Sequence, residues 1–184
     1  MTETVLTLSG IGVVPLSGRG ITERLSPIGN GELRRTVNGT LVDTTLTGHR
    51  KFQVSLSGGD VQPAALSGVW RGQTTTVQCV SELAKVFTLT AGAASNVSLA
   101  RKPVTGSGRA LFKLSETEVI PTTNVSFSEV TGGWVASVDF GVTGYAGSAS
   151  LMYRPEIDCM VDSWNSDTDE YAAAPGWTLE LLEV

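Results

Sequence analysis

The chain has 184 residues, 21 of them glycine, with 41% hydrophobic and 17% charged residues. This length suffices for one domain with a hydrophobic core, or for a small domain carrying an extension. The abundance of glycine, serine and threonine argues against a helical bundle and favours short strands joined by turns. Apolar residues occur along the whole chain, which argues against disorder.

The net charge of −5 hides an uneven distribution of charged residues. Residues 1–110 hold 11 of the 13 Lys and Arg and six of the 18 acidic residues, a net charge of +5. Residues 111–184 hold the other two basic residues and 12 acidic ones, a net charge of −10. Such segments can join one copy of a protein to another, although a soluble protein with an acidic C-terminal third would have the same counts.

The first half of the chain shows alternation interrupted by turn residues. Apolar residues predict a strand over 4–14, broken by glycines. The segment 21–28 does not alternate strictly, and Pro27 followed by Gly29-Asn-Gly31 predicts a turn rather than a helix. Asn38-Gly39, between the strand-like segments 33–37 and 40–44, predicts a hairpin with a type I′ turn.

The remaining chain continues this pattern of short strands. A second hairpin is predicted where 124–130 and 134–140 flank Thr131-Gly-Gly133. Residues 166–170 are predicted to form a polar turn. The strand that begins at 134 is predicted to extend to 142, and the other predicted strands are 51–57, 74–83, 96–100, 109–114, 151–154, 157–162 and a last strand after Pro175-Gly176.

Ten or more short strands without a helix of three turns predict an all-β protein, a β-sandwich or barrel-like domain. Small-residue breaks between residues 91 and 147 indicate an inserted pair of β-hairpins. We therefore predict a β core domain formed by residues 1–90 and 148–184, with a hairpin insertion at 91–147.

Catalysis has little support in the residue types. His49 is the single histidine and has no evident acid or base partner. No nucleophile elbow is present, and the glycine-rich turns lack the helix and lysine of a phosphate loop. Cys79 and Cys159 with one histidine cannot supply four zinc ligands. The two cysteines could pair in space, but in a chain made without export we expect reduced, buried thiols. We expect no enzyme activity and no cofactor.

Six residues with oxygen ligands occur within thirteen positions: Asp158, Asp162, Asn165, Asp167, Asp169 and Glu170. Their alternation resembles the start of a calcium loop. Glu170, however, replaces the glycine of the sixth position, and Gly176 replaces the glutamate of the twelfth. A solvated acidic turn or a salt-bridged interface fits the pattern better.

Aromatic residues leave two interpretations open. They could form a sugar-stacking platform, or core and subunit contacts, which are more common in β-proteins. The residues concerned are Trp70, Trp134, Trp164, Trp177, Tyr145, Tyr153 and Tyr171.

Membranes and nucleic acids are not predicted partners. The first five residues lack the features of a signal peptide, and no apolar run approaches the ~20 residues of a membrane-spanning helix. No cluster of Lys and Arg is interleaved with stacking aromatics, so sequence-specific nucleic-acid binding is not expected.

Several of these segments together resemble the small β-rich structural proteins of tailed bacteriophages. The resemblance covers roughly residues 15–85 and 150–184, and residues 91–147 depart from it. The segments that carry it are 17–22, 33–42, 50–52, 68–72, 76–83, 153–155, 167–171 and 176–179.

The resemblance implies a non-enzymatic virion protein, assembled in the bacterial host cytoplasm and repeated in a ring of the tail, at the tip or baseplate region. Its partners would be copies of itself and other virion proteins. Capsid decoration is the alternative, and a glycan-binding module for host attachment is a further one.

A ring requires two different interface patches on each subunit. We predict one patch on the first hairpin and the other on the acidic segment. The residues are Arg34, Arg35, Asn38 and Gly39 on the first, and Asp158, Asp162, Asp167, Asp169 and Glu170 on the second.

Overall fold

The computed structural model describes residues 6–11, 20–29, 31–44, 50–62, 64–89, 94–115, 118–141, 146–168 and 175–184. These residues form strands and no helix, so the predicted all-β fold class is confirmed and the architecture is β-sandwich-like. In this part of the chain, no helix is long and apolar enough to span a membrane.

Sixteen strands follow one another along the described chain. They are β1 (Thr7–Leu8), β2 (Thr22–Pro27), β3 (Leu33–Arg35), β4 (Leu41–Asp43), β5 (Phe52–Gly59), β6 (Thr74–Gln78), β7 (Leu83–Leu89), β8 (Ser95–Leu99), β9 (Lys102–Pro103), β10 (Arg109–Lys113), β11 (Val119–Thr122), β12 (Val125–Val130), β13 (Gly133–Val138), β14 (Gly147–Tyr153), β15 (Pro155–Thr168) and β16 (Pro175–Glu183).

The chain divides into two compact units. The first comprises Met1–Thr76 and Asp158–Val184, and the second comprises Val77–Ile157. The predicted insertion, residues 91–147, falls within the second unit, which also contains β7. The division into a core domain, residues 1–90 and 148–184, and an insertion, residues 91–147, remains a prediction.

The largest sheet has the strand order β1-β6-β15-β16-β5-β2, and β9 also pairs with β15. In the first unit, alternate residues of its central strands point to one side and are buried. Leu181 lies opposite both Val161 and Val54, and Leu179 lies opposite Leu56. All five side chains are at most 1% exposed, so this side of the sheet forms the core of the unit.

The second unit is a sandwich of two sheets with a shared core. One sheet has the order β11-β10-β14-β7 and the other the order β12-β13-β8. Ala110 and Leu151 of the first sheet pack with Val97, Ala136 and Val138 of the second. The predicted hairpin over 124–140 is confirmed as β12 and β13, with Val130 opposite Gly133.

Two local predictions are wrong, and one strand has no counterpart among the predictions. The segment 21–28 contains the strand β2, which ends at Pro27 and lies at the sheet edge, where proline is tolerated. The strand predicted over 74–83 ends at Gln78, and β7 begins at Leu83. The polar turn predicted at 166–170 is strand at least as far as Thr168, because β15 continues its pairing with β16 there.

Candidate functional site

The first predicted hairpin is confirmed, but its turn is one residue longer than a type I′ turn. Thr36 N–H donates to the Thr40 carbonyl, and Gly39 N–H donates to the Thr36 carbonyl. The loop therefore consists of Val37, Asn38 and Gly39. Gly39 has a φ of +79°, a left-handed conformation that glycine adopts without steric cost and that closes three-residue loops of this kind.

This hairpin, residues 32–44 and here called the arm, forms a two-stranded sheet of its own. Its apolar side chains are exposed: Leu33 is 67% exposed, Leu41 is 52% exposed, and Val37 at the tip is fully exposed. Two-stranded hairpins are only marginally stable in water without a packed face. The arm thus offers apolar surface for which the rest of the described chain supplies no sheet partner.

The two arginines of the arm lie on opposite faces, because side chains alternate along a strand. Arg34 lies opposite Val42 and forms an ion pair with Glu32 at 2.9 Å, with both side chains 72% exposed. Arg35 lies opposite Leu41 and donates from Nη1 to the Gly39 carbonyl at 3.0 Å. One face therefore combines Leu33, Arg35 and Leu41.

The described acids of the second predicted patch all lie on β15. Asp158 accepts a hydrogen bond from the Thr76 hydroxyl at 2.7 Å, and Asp162 pairs with Arg71 at 2.8 Å. Asp167 is exposed near the end of the strand. Asp169 and Glu170 lie outside the described residues. Asp158 and Asp167 are nine residues apart, or about 30 Å along an extended strand, so these acids form a row and not a cluster.

A calcium loop is therefore contradicted over the described part of the predicted segment. Calcium ligands must converge on one point, whereas an extended strand separates them. In the described residues, no three His, Cys, Asp or Glu side chains are placed to hold a metal ion.

Beside the acidic row, the sheet surface of the first unit carries a recess, here called the groove. Its volume is about 390 Å³. Met160 lies directly opposite Leu182, and the two residues form an apolar floor. The residues that define the groove are Arg71, Met160, Asp162, Leu182, Glu183 and Val184.

Asp158 lies at one end of this groove. Val184 N–H donates to the Asp158 carbonyl, which places the two residues opposite each other. A second cavity, of about 300 Å³, is lined by Asp158 and also by Val184, so it adjoins the groove. The groove thus combines an apolar floor with carboxylates at its margin.

The four tryptophans have different environments. Trp177 is 4% exposed, and Trp134 packs against the core of the second unit. Trp70 is 76% exposed and Trp164 is 41% exposed. The Trp164 indole N–H donates to the Val69 carbonyl at 2.8 Å. Two of the four are therefore accessible, whereas Tyr145, Tyr171 and His49 lie outside the described residues.

Both cysteines are buried thiols, as predicted. Burial, together with the charges of Glu183 and Asp158, raises the pKa of the Cys159 thiol to about 12. The thiolate, which is the nucleophile, is therefore scarce at neutral pH.

We expect both thiols of the folded protein to resist dithionitrobenzoate at pH 8, and two thiols per chain to react in guanidinium chloride. Inaccessibility of both side chains and the raised pKa of Cys159 give this result. The absorbance of the released thiolate measures it. Rapid reaction of one thiol in the folded protein would contradict the burial described.

The apolar residues of the arm and groove were not among the predicted interface residues. Alternation along the hairpin places Leu33 and Leu41 on the face that bears Arg35, a signal that the sequence already contained. The pairing of Met160 with Leu182 had no local signal, because it depends on the register between β15 and β16.

Comparison with known proteins adds no relative. No protein-family model matches the chain, and no curated protein or solved structure is significantly similar to it.

Proposed function

We propose that this chain is a non-enzymatic structural subunit that assembles with copies of itself through the arm. The exposed arm carries the proposal. Its three most exposed apolar side chains are Leu33, Val37 and Leu41, and burying one such side chain stabilises a contact by about 1.5–3 kcal/mol. A partner surface that covers them would also stabilise the hairpin.

The arm and the acidic row are different surfaces of the same unit, and this favours a ring. A contact between unlike patches is heterologous and uses each patch once per copy. Such contacts repeat from copy to copy, and they form a ring when the rotation between neighbouring copies closes on itself. The arginines of the arm and the acids of β15 have complementary charge, which would fix the orientation of neighbouring copies.

We further propose that the ring belongs to the tail of a bacteriophage, at the tip or baseplate region. The resemblance of residues 15–85 and 150–184 to small virion proteins supports this assignment. The chain would then assemble in the host cytoplasm and remain in the virion, where other virion proteins are its further partners.

The experiment that tests this assignment is an image reconstruction of the intact particle. We expect density for the chain in a ring of the tail, with the arm contacting the neighbouring copy. Density on the head surface alone would replace the tail ring by capsid decoration.

A second candidate function, glycan binding, is favoured by the exposure of Trp70 and Trp164. Indole rings stack on sugar faces, and fixed rings lose little entropy on binding. Binding of bacterial surface polysaccharides to an immobilised chain, compared with a Trp70→Ala variant, tests it. Equal or absent signals for the two proteins would reject it.

A further inference from the structure

We propose that the groove of one copy receives the arm of a second copy, and that only the arm face with Leu33, Arg35 and Leu41 enters it. This inference rests on the proposed self-assembly and specifies both contacting surfaces. The occupant is a second copy because both the apolar surface and the charge of the arm match those of the groove.

The apolar residues of the arm match those of the groove. Leu33 and Leu41 are diagonal neighbours on one face of the arm, since Leu33 lies opposite Asp43 and Arg35 lies opposite Leu41. In the groove, Met160 is 39% exposed and Val184 is 60% exposed. Two leucine side chains placed on this floor would exclude water from both surfaces.

On both surfaces, a charged residue and an apolar residue lie at the same distance from each other along a strand. Leu33 and Arg35 are two residues apart on β3, and Met160 and Asp158 are two residues apart on β15. Residues two apart on a strand are separated by about 6.6 Å. When Leu33 lies on Met160, Arg35 is therefore beside Asp158.

The opposite ends of both surfaces also carry opposite charges. Asp43 lies on the same arm face, toward the base of the hairpin. Arg71, whose side chain is 82% exposed, lies at the far end of the groove and pairs with Asp162. With Arg35 at Asp158, the base of the arm with Asp43 is directed toward the Arg71 end of the groove. The reverse direction would bring Arg35 to that cation, so the charges favour Arg35 at Asp158.

The two arginines of the arm, equivalent in the sequence, have different roles in this contact. Arg34 lies with Val42 on the other face of the arm, so it points away from the groove. It serves as a matched control for Arg35, because both are exposed cations on the same three-residue strand.

The test is a charge exchange in the full-length chain, with the self-association constant measured by sedimentation equilibrium. Arg35→Glu and Asp158→Arg should each weaken association by about tenfold or more. Combining the two should restore it to within about threefold of the original, because the ion pair is re-formed with reversed polarity. Thermal unfolding verifies that each variant is folded.

Arg34→Glu should leave association within about threefold of the original. Each contrary result would contradict a different part of the proposal. If Arg34→Glu weakens association as much as Arg35→Glu, the wrong arm face has been assigned. Unaltered association of the Asp158→Arg variant, in which the arm is unchanged, would overturn the contact with Asp158. An original chain that remains monomeric would refute the proposed self-assembly itself.

Discussion

Replacing Phe112 with alanine is expected to lower the free energy of unfolding by about 3–5 kcal/mol. Phe112 is 2% exposed, lies in a buried cluster with Leu89 and Ala149, and its ring centroid is 5.9 Å from that of Phe140. Alanine would leave a cavity that rigid strands cannot close. A guanidinium chloride titration followed by circular dichroism measures the loss.

The control for this substitution is Lys113→Ala on the same strand. Lys113 is exposed, and its removal should change the free energy of unfolding by about 0.5 kcal/mol or less. If Phe112→Ala has an equally small effect, the sandwich core of the second unit is not packed as described.

Replacing arm residues 33–43 with the dipeptide Asn-Gly is expected to abolish self-association without unfolding the protein. Glu32 N–H donates to the Thr44 hydroxyl at 3.0 Å, and Thr44 N–H donates to the Glu32 carbonyl at 3.2 Å. These bonds hold the two ends together, so a tight turn can close them. The loss of Leu33, Leu41 and Arg35 removes the contact. Light scattering measures the mass.

A full-length Val42→Thr variant is the control for arm removal. Val42 is 42% exposed on the arm face that we assign to solvent, and threonine keeps its shape and strand preference. We expect this variant to assemble like the original chain. Assembly that persists after removal of the arm would show that another surface joins the copies.

The strands that the sequence predicts best are those whose pattern of apolar residues depends only on the strand itself. In β5, alternate Val54 and Leu56 are buried, and in β16 the same holds for Trp177, Leu179 and Leu181. A period of two requires no knowledge of the neighbours. The Asn38-Gly39 and Thr131-Gly-Gly133 turns likewise contain the residues that permit the chain reversal.

Other strands depend on pairing that no local pattern reveals. β7 is exposed at Val86 yet bonded to β14 along its length, so its conformation comes from the partner strand. The polar end of β15 is extended because β16 runs beside it, with Asp167 opposite Gly176. A polar stretch of this kind is indistinguishable from a turn until the pairing is known.

Charged residues of the candidate site could be predicted from the sequence, but the shape of the groove could not. Arg34 and Arg35 lie beside a turn signal, which already placed them on a hairpin. The groove arises where Met160, on one strand, meets Leu182, on another, and the bulge between Val161 and Ser163 changes the face presented by the residues that follow. Register and bulge are tertiary properties.

The mass of the unmodified chain as a function of its concentration is the most direct test of assembly through the arm. Sedimentation velocity should show conversion of the 19.3 kDa chain into a closed oligomer as concentration rises, and the same chain without residues 33–43 should remain at monomer mass. Sedimentation of both proteins as monomers at every concentration, or identical assembly of both, would contradict the central claim.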